Sequence, residues 1–385
     1  MADNSSVTEQ ATYTTFSSIY SGIAYGCFVL GAVLNALLIW LIIKKTSGEM
    51  RHFKSILLQT SLLDVCMLVA SVLVQPIFIM LQGSVILLQN GPLRALPMPL
   101  NFIVAEAWTF GYYFSIIANV VQFIHRYLVV CHNAKMTPQH HFSMLFVGAI
   151  VVLVHNYLIY YAMYPGYKMK VSIVDAVEGY FSDPKHRDDN STSIVITMAG
   201  YPAGWHCVIH CIYHSILEVL IYVIILFCAL RIKNFVKKAA YTGMERGTAA
   251  TAPLQQQSRH VRDVNRQLTY TLMMQAVLPL GAVFIGAVCT YMCLSAYFDG
   301  SLMSFYFIAY TTVPVLWIPV LNPLITLLVV KQYRRFLFKY VGLKSKTGVT
   351  TTMVVSMVTV SRNNSLHHPS ISQQQQTPRM STNTV

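Results

Sequence analysis

The chain is expected to fold as an all-α membrane protein, a seven-transmembrane helix bundle with its amino terminus outside and a short amphipathic eighth helix. Three observations predict this. Hydrophobic residues make up 55% of the 385 and charged residues only 11%, a balance that a soluble domain of this length does not show. Seven apolar stretches are long enough to span a bilayer: Ile19 to Ile43, Phe53 to Met80, Phe102 to Val130, Phe142 to Met163, Trp205 to Leu230, Leu268 to Cys293, and Met303 to Val330. Of the 27 lysines and arginines, 22 fall on one side of this map (44–54, 126–135, 231–266, 331–379) and five on the other (Arg94, Lys168, Lys170, Lys185, Arg187). An excess of Lys and Arg marks the cytoplasmic face. The net charge of +13 therefore reports membrane orientation and gives no reason to expect nucleic acid as a partner.

The map divides the chain into an extracellular tail (1–18), the spanning domain (19–330), an amphipathic helix (331–341) and a cytoplasmic tail (342–385). Residues 1–18 are polar, with no basic start and no short apolar core, so no cleaved signal peptide is expected and the first helix serves as the insertion signal. Asn4-Ser5-Ser6 and Asn190-Ser191-Thr192 are glycosylation sequons on the outer side. The final tail is rich in Ser, Thr and Gln and holds no acid, so it is expected to be disordered and open to phosphorylation.

Helix one carries Asn35 within an apolar run, and the basic loop Lys44 to Lys54 follows it. Helix two places Asp64 deep in the span, with Ser61, Ser71 and Gln75 roughly on its side. An ionisable group at that depth reads as a functional site; the plainer alternative is a protonated acid hydrogen-bonded to its neighbours. Helix three, at about 1.5 Å per residue, is a rod roughly 40 Å long. Along it Trp108, Tyr112, Ser115, Asn119, Gln122 and Arg126 recur at spacings of four and three, forming one polar stripe. Hydrocarbon offers no hydrogen bonds, so this stripe should face protein or trapped water. For Arg126, at the end of the stripe, snorkelling to the lipid headgroups is the competing reading.

Helix four ends in Tyr157, Tyr160, Tyr161, Tyr164 and Tyr167, as an interfacial aromatic belt does. The loop to about Gly204 mixes five acids and four bases and suggests a folded or solvated lid. Helix five presents His206, His210, His214 and Glu218 at spacings of four. Such a strip could ligate Zn²⁺, but four-residue steps drift around the helix, so a ligand-facing or proton-accepting strip is preferred and no metal is assigned. Cys207, Cys211, Cys289 and Cys293 lie near the outer ends of helices five and six, where a disulfide is conceivable.

Residues 231–267 carry eight basic side chains, and Arg259, Arg262 and Arg266 share a helical face directed either at anionic lipid or at a partner. Pro279 sits mid-way along helix six and creates a kink suited to a hinge. Helix seven holds Pro314, Pro319 and Pro323 and runs into Lys331 to Tyr340, where basic and aromatic positions alternate as in a helix lying on the inner leaflet.

Seven helices with Asn35, Asp64, Arg126-Tyr127, Pro279, Asn322-Pro323 and Tyr333-Arg334-Arg335 resemble a rhodopsin-like G-protein-coupled receptor. Ser115 stands where that class has the residue joining Asp64 and Asn322 around a sodium ion. The chain departs from the pattern at His125, where an acid is usual, at Thr326, where a tyrosine is usual, and at Val277, where a tryptophan is common. Helix five has no proline, and no cysteine begins helix three or follows the amphipathic helix. Gln267-Leu268-Thr269 with Gln275 and Pro279, then Asn322 to Leu327 running into Tyr333-Arg334, is similar to the nematode serpentine chemoreceptors, most of all the class delta group. The similarity spans roughly Ile19 to Tyr340.

The resemblance implies a plasma-membrane receptor, in sensory-neuron cilia, that takes a small external chemical and acts through a heterotrimeric G protein. The expected ligand contacts are Trp108, Tyr112, Tyr113, His210 and Tyr291; the expected ion or water network is Asn35, Asp64, Ser115 and Asn322. Arg126, Tyr127, Arg262 and Arg266 are expected to meet the G protein, with Pro279 and Pro323 as hinges. No cofactor is expected. A seven-helix transporter or ligand-gated channel is the alternative, disfavoured by the odd helix count, the lack of an evident repeat and the few intramembrane charges. Helix seven has no lysine for a retinal Schiff base, which argues against a light sensor, and no nucleophile or phosphate-loop constellation supports an enzyme.

Overall fold

α3 (Leu100–Cys131) is the helix around which the others pack in the computed structural model of the chain: 56% of its most apolar stretch is enclosed by protein, against 28% for α4 (Pro138–Met163) and for α5 (Trp205–Glu245). The structure describes residues 3–45, 54–81, 84–97, 99–134, 136–164, 195–200, 205–245, 266–281 and 312–340. The remaining helices are α1 (Asp3–Lys45), α2 (Lys54–Val74), α6 (266–281), α7 (Val313–Val329) and α8 (Lys331–Tyr340). Among the described residues, α1 to α5 each hold a stretch long and apolar enough to cross a membrane, and α7 with α8 adds a sixth that bends by 88° after Val329. The described part of α6 covers only the first half of the expected sixth span.

α1 packs on α2 and α7, while α3 packs on α2, α4 and α5. Between α3, α4, α5 and α6 lies an apolar core that includes Ile117, Val121, Phe123, Val152, Ile221, Ile225 and Leu272. The outward faces of α4 and α5 expose Phe142, Phe146, Ile150, Leu153, Val219 and Val223, the arrangement expected where lipid rather than water is the solvent. Polar residues meanwhile point inward: Asn35, Asp64, Asn119, Gln122 and Asn322 are all buried.

The expected second span to Met80 is corrected. α2 stops at Val74; Gln75 takes a left-handed conformation with φ 46°, and β1 (Pro76–Leu81) begins at once. Proline disfavours helical geometry in the residue before it and cannot donate to the preceding turn, so the helix ends there. β1 pairs antiparallel with β2 (Ser84–Gln89), Pro76 facing Gln89 and Leu81 facing Ser84, and β2 pairs antiparallel with β3 (Val195–Gly200). A register shift between Leu87 and Leu88 marks a bulge against β3. This three-stranded sheet is an addition to the helical bundle.

The sheet is built into the bundle. Ile77, Ile86 and Leu88 join Tyr20, Ala24, Cys27, Leu316 and Val320 in a second core with α1 and α7. A hydrogen-bonded clasp holds it there. Asn90 donates to Gln75 Oε1 at 3.1 Å and to Ser21 Oγ at 2.9 Å, and Ser17 Oγ donates to Asn90 Oδ1 at 2.7 Å. The Tyr20 hydroxyl donates to the Pro76 carbonyl and lies 3.1 Å from Thr312 Oγ1.

Residues 3–18, expected as a tail, continue α1 as helix. Phe16, Tyr20, Ala24 and Cys27 line one buried face, so the packing that holds the helix begins before Ile19. α8 starts where expected. Its Phe336 ring lies 5.3 Å from Trp40 and beneath the Lys45 ammonium, and Gln332 donates to the Lys45 carbonyl. The chain divides into two compact units, Met1–Phe336 and Leu337–Val385; of the second, residues 337–340 are described, in helical conformation.

Gly91 closes the hairpin against the end of α2: its amide donates to the Val74 carbonyl at 3.1 Å, and a Cβ there would lie 2.2 Å from the Leu73 carbonyl oxygen. Gly22, on α1, has nothing within 4 Å. Gly91→Ala is expected to destabilise the detergent-purified protein by about 1–3 kcal/mol, the usual range for overpacking. Gly22→Ala is expected to leave it unchanged or gain up to about 1 kcal/mol from helix propensity. Thermal unfolding of the two variants side by side checks this.

Candidate functional site

α7 contains two internal prolines, and each removes a backbone donor. The missing amide of Pro323 leaves the Pro319 carbonyl without its helical partner. Asn35 of α1 takes that place, with Nδ2 donating to Pro319 O at 3.0 Å and to Gly31 O at 3.0 Å. Close contact between α1 and α2 helps set this position, since a Cβ on Gly31 would lie 2.7 Å from the Leu68 side chain. One residue before Pro323, Asn322 Nδ2 donates to Asp64 Oδ1 at 2.8 Å, joining α2 to α7.

α6 joins from the other side. Gln275 Nε2 donates to Asn322 O at 3.2 Å and to Thr326 Oγ1 at 3.1 Å, and Thr326 Oγ1 donates to Asn322 O at 3.0 Å. Eight residues earlier on α6, Gln267 Oε1 accepts the Lys331 amide at 2.9 Å and so satisfies the first turn of α8. Four helices thus meet around one kinked segment. Ser115 Oγ donates to Tyr112 O at 2.7 Å, so its hydroxyl is satisfied within α3.

At the end of α3 nearest α8's side of the chain map, Arg126 is only 2% exposed. The snorkelling reading is therefore corrected: the guanidinium is enclosed by protein, because α2 and α5 flank this part of α3. Gln122 donates to Thr60 Oγ1 at 2.7 Å, and His125 packs edge-on against His141 at 5.2 Å, with His141 Nε2 2.6 Å from Gln59 Oε1. Tyr127 lies 2.9 Å from His132 Nε2 and edge-on to Phe227. Arg266 is exposed, its guanidinium 5.6 Å from the Tyr270 ring. Pro279 is buried in α6, and Pro323 is buried in α7.

At the opposite end, Trp108 Nε1 donates to Ser71 Oγ at 3.0 Å, and its ring stacks on Tyr112 at 5.9 Å. Phe78 from β1 covers it at 6.2 Å. Tyr112 meets Tyr113 at 5.2 Å, and Tyr113 meets His155 of α4 at 4.2 Å. His155 lies 5.1 Å from His210 and 5.4 Å from His214, whose Nδ1 is 3.5 Å from the Tyr113 hydroxyl and whose Nε2 is 3.4 Å from Glu218. Four of the five expected ligand contacts therefore form one continuous aromatic and imidazole cluster; Tyr291 lies outside the described residues. His206 turns away onto Tyr161 at 4.2 Å. Among the described residues, no group of three or more His, Cys, Asp or Glu side chains is arranged to hold a metal ion.

Sequence reasoning missed His155, Glu106 and Asn156. Asn156 Nδ2 donates to the Glu106 carbonyl at 2.8 Å, linking α4 to α3, while the Glu106 carboxyl oxygens are buried without hydrogen-bond partners. The signal was present, since an ionisable residue inside an apolar span is a site candidate. It was masked in α4 by the neighbouring tyrosines, of which Tyr157, Tyr160, Tyr161 and Tyr164 are exposed as a belt requires. Arg262, Asn190, Cys289, Cys293 and the side chains of Asn4 and Cys207 lie outside the described residues, and Cys211 is exposed on α5.

Replacing Asn35 by Leu leaves the Pro319 carbonyl buried without a donor. The expected loss is about 1–3 kcal/mol, read as a lower melting temperature of the purified protein.

Comparison with known proteins agrees with this architecture. A crystal structure of squid rhodopsin superposes with a TM-score of 0.60 at 12% identity, covering 89% of this chain and 92% of that one; at that identity the likeness is one of fold. No curated protein matches the chain. The family model described as serpentine type 7TM GPCR chemoreceptor Str matches residues 21–338. The helix-six and helix-seven motifs had pointed most to the class delta group; the model that matches is Str, within the same nematode serpentine receptors. The fold is thus a rhodopsin-like seven-transmembrane bundle and the chain a multi-pass membrane protein of a receptor class and no enzyme class, and it belongs to the Str family of serpentine seven-transmembrane chemoreceptors.

Proposed function

We propose that the protein is a chemosensory G-protein-coupled receptor of the plasma membrane, sited in sensory cilia, with its amino terminus outside. A small external chemical binds at the cluster of Trp108, Tyr112, Tyr113 and His210, with Tyr291 contributing. By favouring one arrangement over another, it shifts the population toward α6 swung outward about Pro279. Arg126, Tyr127, Arg262 and Arg266 then meet the carboxyl end of a Gα subunit. Asp64, Ser115 and Asn322, with Asn35 in the same network, couple the two ends through water or Na⁺.

The observation that carries this reading is the pair of glutamines holding α6 to α7 and to the start of α8. Gln275 bonds Asn322 O and Thr326 Oγ1, and Gln267 bonds the first amide of α8. Both lie on the Arg126 side of Pro279, so an outward swing of α6 has to break them. With His125 in the place of the usual acid, they are the restraint on α6 that the described residues supply. Each bond contributes about 0.5–1.5 kcal/mol.

Gln275→Leu is therefore expected to shift the equilibrium by about 1–3 kcal/mol, raising basal signalling several-fold in cells carrying a promiscuous Gα subunit. Arg126→Leu on top of it is expected to return the signal to background. An unchanged basal signal in Gln275→Leu, at equal surface expression, overturns the proposed restraint.

If the amino terminus and the loop around Asn190 are external, glycosidase treatment is expected to shift the mobility of the mature protein. Asn4→Gln with Asn190→Gln is expected to abolish that shift.

A further inference from the structure

His155 is 0% exposed and His210 is 8% exposed, but neither ring nitrogen of either residue has a hydrogen-bond partner. The two rings lie 5.1 Å apart. The titratable groups around them come from α3 and α5: Tyr113 edge-on to His155 at 4.2 Å, Tyr213 stacked on it at 5.9 Å, and His214, which is engaged by Glu218 at 3.4 Å. Tyr213 spends its hydroxyl on Val151 O at 3.1 Å, and the Tyr222 hydroxyl is buried without a partner.

A neutral imidazole carries one donor and one acceptor. Two such rings leave two of each unmet within a membrane-spanning bundle, and each unmet group carries its full desolvation cost. Folded proteins seldom leave so many in one place without a bound molecule to take them up. The chemistry of that molecule follows from the charges present. The spanning parts of α3, α4 and α5 over residues 100–125, 138–163 and 205–230 contain no lysine or arginine, so no fixed cation waits for a preformed anion. Glu218 is already engaged by His214. Glu106 lies seven residues before Tyr113 on α3, about 10 Å further along the axis. What the cluster offers is two buried bases.

We infer that the cluster recognises a small weak acid, a short-chain carboxylic acid or one of similar strength, that enters uncharged and passes its proton to His155 or His210. This rests on the reading of the outer cluster as the ligand site. In the transfer the carboxyl O–H bond breaks and the proton joins the lone-pair nitrogen of one imidazole. The carboxylate left behind accepts N–H from that ring and from its neighbour. The carboxylate formed stays in contact with the imidazolium, and that contact, with the N–H of the second ring, offsets the cost of holding charge in a buried site. The complex carries the same net charge as its separate parts, so no isolated ion is buried. An ester or alcohol cannot make the transfer, and a primary amine brings a cation of its own.

The test uses the full chain and straight-chain carboxylic acids of two to eight carbons, with the matching methyl esters, alcohols and primary amines as probes. Nitrogen-15 histidine spectra of the purified receptor are expected to show one or two imidazoles becoming protonated when an acid is added at constant pH, and no such change with the ester. In cells, the same acid is expected to signal at least roughly tenfold more potently than its ester, a difference of about 1.4 kcal/mol. His155→Gln and His210→Gln are each expected to weaken the acid response about as much. The inference is overturned if no acid changes the histidine spectrum, which identifies the occupant as trapped water, or if the amine is the active member, which points to Glu106. It is equally overturned if both variants, at normal surface levels, respond as the wild type does. The Gln275→Leu receptor separates the two readings. Raised basal signalling with an acid-blind cluster leaves G-protein coupling standing and removes only the acid; loss of that signalling counts against coupling itself.

Discussion

A polar group inside a lipid bilayer has no solvent to fall back on, and the internal architecture of this bundle is shaped by that constraint. α7 shows it most directly. Its prolines break the backbone ladder, and for the Pro319 carbonyl, which Pro323 leaves open, another helix supplies the donor. Asn35 reaches from α1 to the Pro319 carbonyl, and Gln275 reaches from α6 to the Asn322 carbonyl and the Thr326 hydroxyl. Asp64 accepts from Asn322, so a carboxyl that would be expensive alone becomes a link between two helices. The bond that closes the broken ladder and the bonds that hold α6 thus meet on one segment of α7, the segment from which α6 departs in the proposed conformational change.

α3 connects this region to the cluster of rings around Tyr113 and His155. Its polar stripe is buried at Trp108, Asn119, Gln122 and Arg126 and half-buried at Tyr112 and Ser115, with Trp108 bonded to Ser71 and Gln122 to Thr60. The ends differ in kind. The Trp108 end is made of aromatic and imidazole rings in contact with one another, whereas the Arg126 end is a set of discrete hydrogen bonds between α2, α3 and α4, with the His125 and His141 rings packed edge-on. Rings permit many neighbours of differing shape, while directional hydrogen bonds permit few. That is the division of labour expected of an element proposed to meet varied small molecules at one end and a fixed partner at the other.

The helices were legible because a span needs about 20 apolar residues and little else resembles one. The inner network was legible for a related reason: Asn35, Asp64 and Asn322 are polar residues where polarity is costly, and each is buried with a named partner. The hairpin was not legible, because Ile77 to Leu88 is as apolar as the span before it, and hydropathy does not separate a strand buried in protein from a helix buried in lipid. Pro76 and the Gln82-Gly83 pair carried the contrary signal, since proline ends the helix before it and glycine favours a tight turn. His155 was hidden by the tyrosines around it. Arg126 could be read either way, because a terminal arginine has the same sequence whether it turns to lipid or to protein; only the packing of its neighbours decides.

The bond from Asn35 to Pro319 also bears on how such chains diverge. The asparagine answers a vacancy that the ring at position 323 creates, so the two residues, 288 positions apart and on different helices, form a single structural unit. A descendant that exchanges the proline for a residue with an amide closes its own ladder and releases position 35 to drift. One that loses the asparagine first must survive with an open carbonyl until the second change arrives.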